Sequence, residues 1–187
     1  AMIGAVRNRI PGLSVEVSPH HLTLSVDLVE RLGTAAKMYP PLRTREDVRA
    51  LQRAMAEGKI DTIATDHAPH APSEKALEFS KAPNGVIGLQ TALPVMLTFV
   101  QEGTITMEAL VRMMSTRPAE VLGIEAGSLR PGMPADIVVF DPEPEYDLGT
   151  IRQFSKSNNT PFAGFMGRGR VLRTFVGGEE VYSGEDA

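Results

Sequence analysis

The spacing of apolar and polar positions changes several times along this chain, and each change predicts an element. Residues 2–10 carry Ile3, Val6 and Ile10 with Arg7 and Arg9 between them, the end of an amphipathic helix that Pro11-Gly12 stops. Residues 13–17 alternate as a strand and open into Ser18-Pro19-His20-His21. A helix is predicted over 26–32, with Ser25 as its cap and Gly33 closing it. Paired prolines at 40 and 41 keep residues 34–43 out of a helix. Thr44 with Asp47 three residues on is a capping-box start for a helix running to about Glu57, with Val48, Leu51 and Met55 on one face and Gly58 at its end.

The β-branched run 60–65 predicts a buried strand, and it breaks abruptly into Asp66-His67-Ala68-Pro69-His70. An irregular, polar stretch follows over 71–85, with Pro72, Pro83 and Asn84-Gly85, and suits an active-site loop better than a tight connection. Helices are predicted over 86–101, bent near Pro94, over 107–115, and as a short turn over 118–122 before Gly123. The texture then becomes turn-rich, with short strands at 136–140 and 171–176 and a hairpin where Gly177-Gly178 leads into 179–182. A boundary near Ile124 divides the chain into 1–124 and 125–187. Asp136 and Asp141 are assigned to turns of the second part.

Chemistry concentrates where the 60–65 strand ends. A strand in a parallel sheet presents its carboxyl end to the binding crevice, and Asp66 is the first residue past that base. Pro69 stiffens the turn and biases Ala68 to an extended conformation, so that Asp66 and His70 can share one pocket. The plainer alternative makes Asp66 a turn or capping residue and His70 a surface imidazole.

Composition removes several function classes. With 42% hydrophobic, 22% charged and 5% aromatic residues the chain reads as an ordinary globular protein. Its net charge of -4 and scattered arginines argue against nucleic acid as a partner. Without cysteine there is no disulfide and no thiolate metal site, which fits a cytoplasmic location. The most apolar stretch, 86–100, is interrupted by Gln90 and Pro94 and is too short to span a bilayer. No signal peptide is visible, and Ala1-Met2 suggests a remnant ahead of a start at Met2.

The string Ile63-Ala64-Thr65-Asp66-His67-Ala68-Pro69-His70 resembles the signature of the dihydroorotases, metal-dependent cyclic amide hydrolases of the amidohydrolase superfamily. Other segments agree in order and spacing: Glu16 to Leu22, Pro40-Pro41-Leu42-Arg43, Gly88 to Pro94, Pro131-Gly132 with Ala135-Asp136, and Asn159-Thr160-Pro161-Phe162. The resemblance covers essentially the whole chain. It implies an α/β fold, the C-terminal portion of a TIM-type (β/α)8 amidohydrolase barrel with its last two strands and following helices, plus part of a small β domain. Strand counting agrees, since only two strand-to-helix units precede the β region while a full barrel needs eight and roughly 250 residues.

By that resemblance the intact enzyme reversibly hydrolyses dihydroorotate to N-carbamoyl-aspartate in pyrimidine biosynthesis, with zinc as cofactor. Asp66 matches the family's metal ligand and proton shuttle, His70 a contact to the substrate carboxylate, and Asn84 with Gly85 a backbone contact to the substrate. The family's His-x-His pair and its further ligands have no counterpart here, so this chain alone is expected to be inactive. His20 and His21 are expected to be structural or to act behind the ligands, and His67 to orient or pack. Tyr39 stands where the family commonly has Asn, and Asn84 where it often has Phe, which bears on ring recognition. A homo-oligomer or association with aspartate transcarbamoylase is the partner expectation. The alternatives are a non-catalytic dihydroorotase-like structural partner and a hydrolase of another cyclic amide, of the allantoinase or hydantoinase type.

Overall fold

A computed structural model describes residues 5–184. The helix expected over 2–10 lies partly outside the described residues, and its described part is helical at 5–6 and continues as the 3-10 turn Arg7–Arg9. The two strands that carry the site are shorter than their apolar patterns: β1 is Glu16–Val17 and β2 is Thr62–Ile63. They pair in parallel, Glu16 with Thr62 and Val17 with Ile63. The expected extension of the first strand back to residue 13 is not formed. Val15 instead gives its N–H to the Asp61 carboxylate at 2.8 Å, and its C=O accepts from Asp61 and Thr62.

The residues after β1 correct a second expectation. Ser18-Pro19-His20-His21 is not a strand end in a loop but the start of helix α1, Pro19–Thr23. Ser18 caps it by accepting from His21 N–H, and Pro19 takes the first turn, where a missing N–H costs nothing. Helix α2 is Leu28–Leu32 and begins two residues later than expected, because the Ser25 hydroxyl donates to Asp27 rather than capping the helix. Helix α3, Arg45–Ala56, starts on the expected capping box, with both reciprocal bonds present between Thr44 and Asp47. Val48 and Met55 are buried and Leu51 is half-buried, so the face read from the spacing is the one that packs.

Replacing Thr44 with Ala is expected to lower stability by about 1 kcal/mol, since the Asp47 N–H loses its side-chain acceptor and the Asp47 carboxylate loses the Thr44 hydroxyl donor. A shift of the chemical-denaturation midpoint would measure it, and an unchanged midpoint would dismiss the cap. The bond from Thr44 also holds the Asp47 carboxyl below the ordinary carboxylate range. A depressed value stabilises the fold above the unfolded-chain pKa near about 4 and loses that effect as pH falls through the lower folded value.

Helix α4 is the single turn Pro72–Lys75. Helix α5, Leu89–Gln101, begins three residues after the expected position, because Val86 remains extended and bridges to His67. The helical path from Met107 is continuous where two separate helices were expected: α6 is Met107–Val111, a π-turn covers Arg112–Thr116, and α7 is Arg117–Leu122. Pro118 has no N–H for the carbonyl four residues back, and the wider turn, in which Arg117 N–H reaches Arg112 C=O, carries the helix past it.

The C-terminal part forms an antiparallel sheet in the order β3-β4-β5: Ile137–Asp147, Met166–Val176 and Glu179–Ser183. Both long strands outrun the expected ones. A register shift between Asp141 and Glu145 lets β3 continue through Pro142 and Pro144, which cannot donate to a ladder. Asp141 therefore sits at a bulge inside β3, while Asp136 accepts from Gly177 N–H at 2.8 Å beside the hairpin turn. That turn is Gly177-Gly178, both at positive φ, as a two-residue hairpin requires.

One apolar cluster joins these pieces. Val17 and Ile63 from the parallel pair, Met96 and Leu97 from α5, and Leu148 and Phe162 from the C-terminal part belong to the same buried group. Helix α5 is its centre and lies across β4. No helix among the described residues is long and apolar enough to cross a membrane.

Candidate active site

The chain leaves β2 through Ala64 and Thr65 and turns at Asp66, the one non-glycine residue among the described residues with a positive φ, 50°. A left-handed backbone is costly for most side chains and tolerated by Asp, so the turn holds a carboxylate at the strand's end at some conformational expense. Asp66 is exposed, and its carboxylate has no hydrogen bond or ion pair among the described residues.

His67 faces the other way. Its Nδ1 accepts from Gly88 N–H at 3.1 Å and lies 3.4 Å from Leu89 N, so the ring caps α5. An accepting Nδ1 places the proton of the neutral ring on Nε2. Ala68 N–H adds a bond to Val86 C=O at 2.9 Å, and the segment after Asp66 is thereby zipped to the entry of α5.

His70, Asn84 and Gly85 are brought together. His70 Nε2 donates to Asn84 C=O at 2.8 Å, and its Nδ1 is 3.9 Å from the Glu74 carboxylate. Gly85 adopts φ 131°, and a Cβ there would lie 2.5 Å from Ala68 Cβ and 3.0 Å from His70 Nε2, so only glycine fits. Its N–H donates to Lys37 C=O at 2.9 Å. No hydrogen bond or ion pair links Asp66 to this group among the described residues.

Sequence reasoning did not identify what holds the group. Asn159, 5% exposed, is its hub: its Nδ2 donates to Ala68 C=O at 3.1 Å and to Gly85 C=O at 3.0 Å, and its Oδ1 accepts from His70 N–H at 3.3 Å. Ser157, also buried, accepts from His70 N–H at 3.2 Å, donates to His70 C=O at 2.6 Å, and lies against the Asn159 amide oxygen. Lys75, 8% exposed, donates to three backbone carbonyls, Gly85 at 3.0 Å, Pro83 at 3.1 Å and Lys37 at 3.4 Å. Burial first, and the nearby Lys37 charge second, lower its pKa below the usual lysine value. Lys37 itself reaches Ala82 C=O at 2.5 Å and Phe79 C=O at 2.6 Å. The two ammonium groups thus tie down the loop through its backbone carbonyls, and the only trace of this in the sequence is that the stretch is polar yet punctuated by apolar residues.

Of the neighbouring histidines, His21 is committed elsewhere and His20 is buried. His21 Nε2 donates to Pro40 C=O at 2.9 Å while its Nδ1 sits 2.6 Å from the Ser18 hydroxyl, so the ring ties α1 to the loop that bears Tyr39, which is 75% exposed. His20 is 1% exposed and neutral, its pKa pushed down to about 3 by burial and by the adjacent His21, and its Nε2 has no partner. Among the described residues no three His, Cys, Asp or Glu side chains gather in a way that could hold a metal. Asp66 can give one carboxylate, but His67 and His70 are already engaged, so these residues do not by themselves fit a complete metal site.

Comparison with known proteins agrees with this architecture. Residues 13–181 match the amidohydrolase family. The chain is 46% identical to the dihydroorotase of Geobacter metallireducens over 170 residues, 91% of this chain and 40% of that protein. It is 42% identical to the dihydroorotase of Syntrophus aciditrophicus over 181 residues, 97% of this chain and 42% of that one. Among solved structures, the L-hydantoinase (dihydropyrimidinase) from Arthrobacter aurescens superposes with a TM-score of 0.87 at 32% identity, over 97% of this chain and 42% of its own. A D-hydantoinase structure gives 0.88 at 26% identity over the same shares. The chain therefore spans about 40% of the length of the curated relatives it matches.

Proposed function

Since the chain belongs to the amidohydrolase family, a hydrolase family whose fold it shares over part of a TIM-type barrel, we propose that it is the C-terminal part of a dihydroorotase. The observation that carries the reading is Asp66: an unpartnered carboxylate held at the end of a parallel strand, beside a loop that Asn159 and Lys75 fix in place. Dihydroorotate is the substrate and N-carbamoyl-aspartate the product. Asp66 takes the proton of a water whose oxygen bonds to the ring amide carbon, and returns it to the nitrogen as the carbon–nitrogen bond breaks. His70 holds the substrate carboxylate, and the backbone at Asn84 and Gly85 lines the ring's edge. Asp66 would also be this chain's single contribution to a zinc site in the complete enzyme, where the chemistry supplied would be Lewis-acid polarisation of the amide. Residues 1–124 are assigned to the barrel and 125–187 to the small β domain, and the location is cytoplasmic.

The two-stranded parallel sheet supports the partial-barrel reading, since among the described residues β1 and β2 have no other strand beside them. Unpaired edges invite pairing with further chain. The purified 187-residue chain, given zinc and dihydroorotate, is expected to show no turnover and to have a solution mass above that of a monomer. Robust turnover by a monomer would overturn the assignment. The hydantoinase structures and the exposed Tyr39 favour one second reading, hydrolysis of another cyclic amide. Assaying the complete enzyme on dihydroorotate and on hydantoin side by side decides between them.

A further inference from the structure

A cavity of about 590 Å³ lies between the first turns of α5, the loop at residues 150–154 and the inner parts of β3, β4 and β5. It is separate from the Asp66 turn and shares none of the residues assigned above to catalysis or substrate. Its size falls within the range of small-molecule sites.

The charge of the lining is unusual for this protein. The whole chain carries -4, yet the cavity wall contains Arg152 and Arg170 and no Asp or Glu. Neither arginine forms an ion pair among the described residues, whereas the neighbouring Arg168 and Arg173 both do. Two guanidinium groups with open donors on one concavity form a receptor for an anion, because the planar fork matches a carboxylate or phosphate.

Three aromatic residues, Tyr146, Phe154 and Tyr182, share the wall with aliphatic and polar residues such as Leu93 and Thr174. Phe154 and Tyr182 meet edge to face with centroids 6.0 Å apart, and the Arg152 guanidinium stands 5.5 Å from the Phe154 ring centre. Tyr146 is half-buried, with its hydroxyl donating to Gly169 C=O at 2.8 Å, so it presents its ring and not its hydroxyl. The wall is also held in shape before any ligand arrives. Gln90 Nε2 donates to Arg152 C=O at 2.7 Å, and Gln90 Oε1 accepts from Phe154 N–H at 2.7 Å, fixing the segment that carries both side chains.

We propose that this cavity binds a small anion joined to an aromatic ring, the ring lying against Phe154 and Tyr182 and the phosphate or carboxylate between Arg152 and Arg170. The test titrates the complete enzyme with phenyl phosphate, benzoate, inorganic phosphate and phenol, following binding by calorimetry and by NMR shifts. Phenyl phosphate or benzoate should bind at least about tenfold more tightly than inorganic phosphate and phenol, a difference of about 1.4 kcal/mol. The tighter of the two identifies the anion.

The double variant R152A/R170A should lose at least about tenfold in affinity, and F154A should lose the preference for the ring-bearing anions over inorganic phosphate. Should the double alanine variant not fold, R152Q and R170Q singly provide the same readout with the side-chain length kept. Unchanged affinity in the arginine variants, equal binding of phenol and phenyl phosphate, or no saturable binding by any of the four would overturn the proposal.

Discussion

Replacing Asp66 with asparagine in the complete enzyme is expected to cut turnover by about 10²–10⁴-fold, the range a positioned proton-transfer group supplies. Asparagine keeps the size of the side chain and tolerates the same left-handed backbone, so the variant removes basicity without disturbing the turn at φ 50°. Replacing His70 with alanine is expected to act differently. His70 is assigned to a substrate carboxylate, to which its Nε2–H would turn from Asn84 C=O, so the Michaelis constant should rise by about tenfold with turnover much less affected. The structure adds a control, because His70 also donates to Asn84 C=O and part of its effect could come through the loop. Replacing Asn159, which holds the same loop without a proposed substrate contact, separates the two causes. Steady-state kinetics on the three variants checks the division of labour, and an Asp66 variant with full turnover would end the proton-transfer assignment.

Replacing Asp61 with alanine is expected to destabilise the fold by about 3–5 kcal/mol, the cost of removing one partner of a buried charge network. Asp61 is 8% exposed and pairs with Arg7, lies 3.4 Å from Arg117 Nε, and accepts from Val15 N–H at 2.8 Å. One carboxylate thus joins the N-terminal turn, the entry to β1, the start of β2 and helix α7. Alanine leaves two guanidinium groups facing each other and a part-buried N–H without its acceptor. Asparagine at the same position keeps an acceptor and loses the charge, so its cost should be intermediate. Denaturant titrations at matched protein concentration provide the measurement, and a loss below about 1 kcal/mol in the alanine variant would show that the network is a solvated surface arrangement.

Local chemistry was legible wherever a short-range rule acts alone. Thr44 with Asp47, the Gly177-Gly178 turn and the stop at Gly123 were read correctly because each depends on a few neighbouring residues. The family signature followed from the residues around Asp66. The length of the first strand did not follow, because Val15 is held by Asp61 and Thr62 from elsewhere in the chain rather than by its own propensity. The segment 18–21 was misplaced at a strand's end for the same reason: Ser18 and Pro19 start a helix that buries the His20 ring and hands the His21 ring to Pro40.

The sequence by itself determined which residues could do chemistry here: a carboxylate and an imidazole at the end of a β-branched run, on a chain without cysteine or basic patches. Only the tertiary structure decided that Asp66 stays unpartnered, that His67 caps a helix, and that Asn159, nearly ninety residues after His70, organises the loop around it. The physical reason is that propensity and capping act over three or four residues, whereas a buried lysine or amide takes its position from carbonyls delivered by separate segments. Those carbonyls are identical in every residue, so the pattern of side chains carries no mark of which of them will meet Lys75 or Asn159.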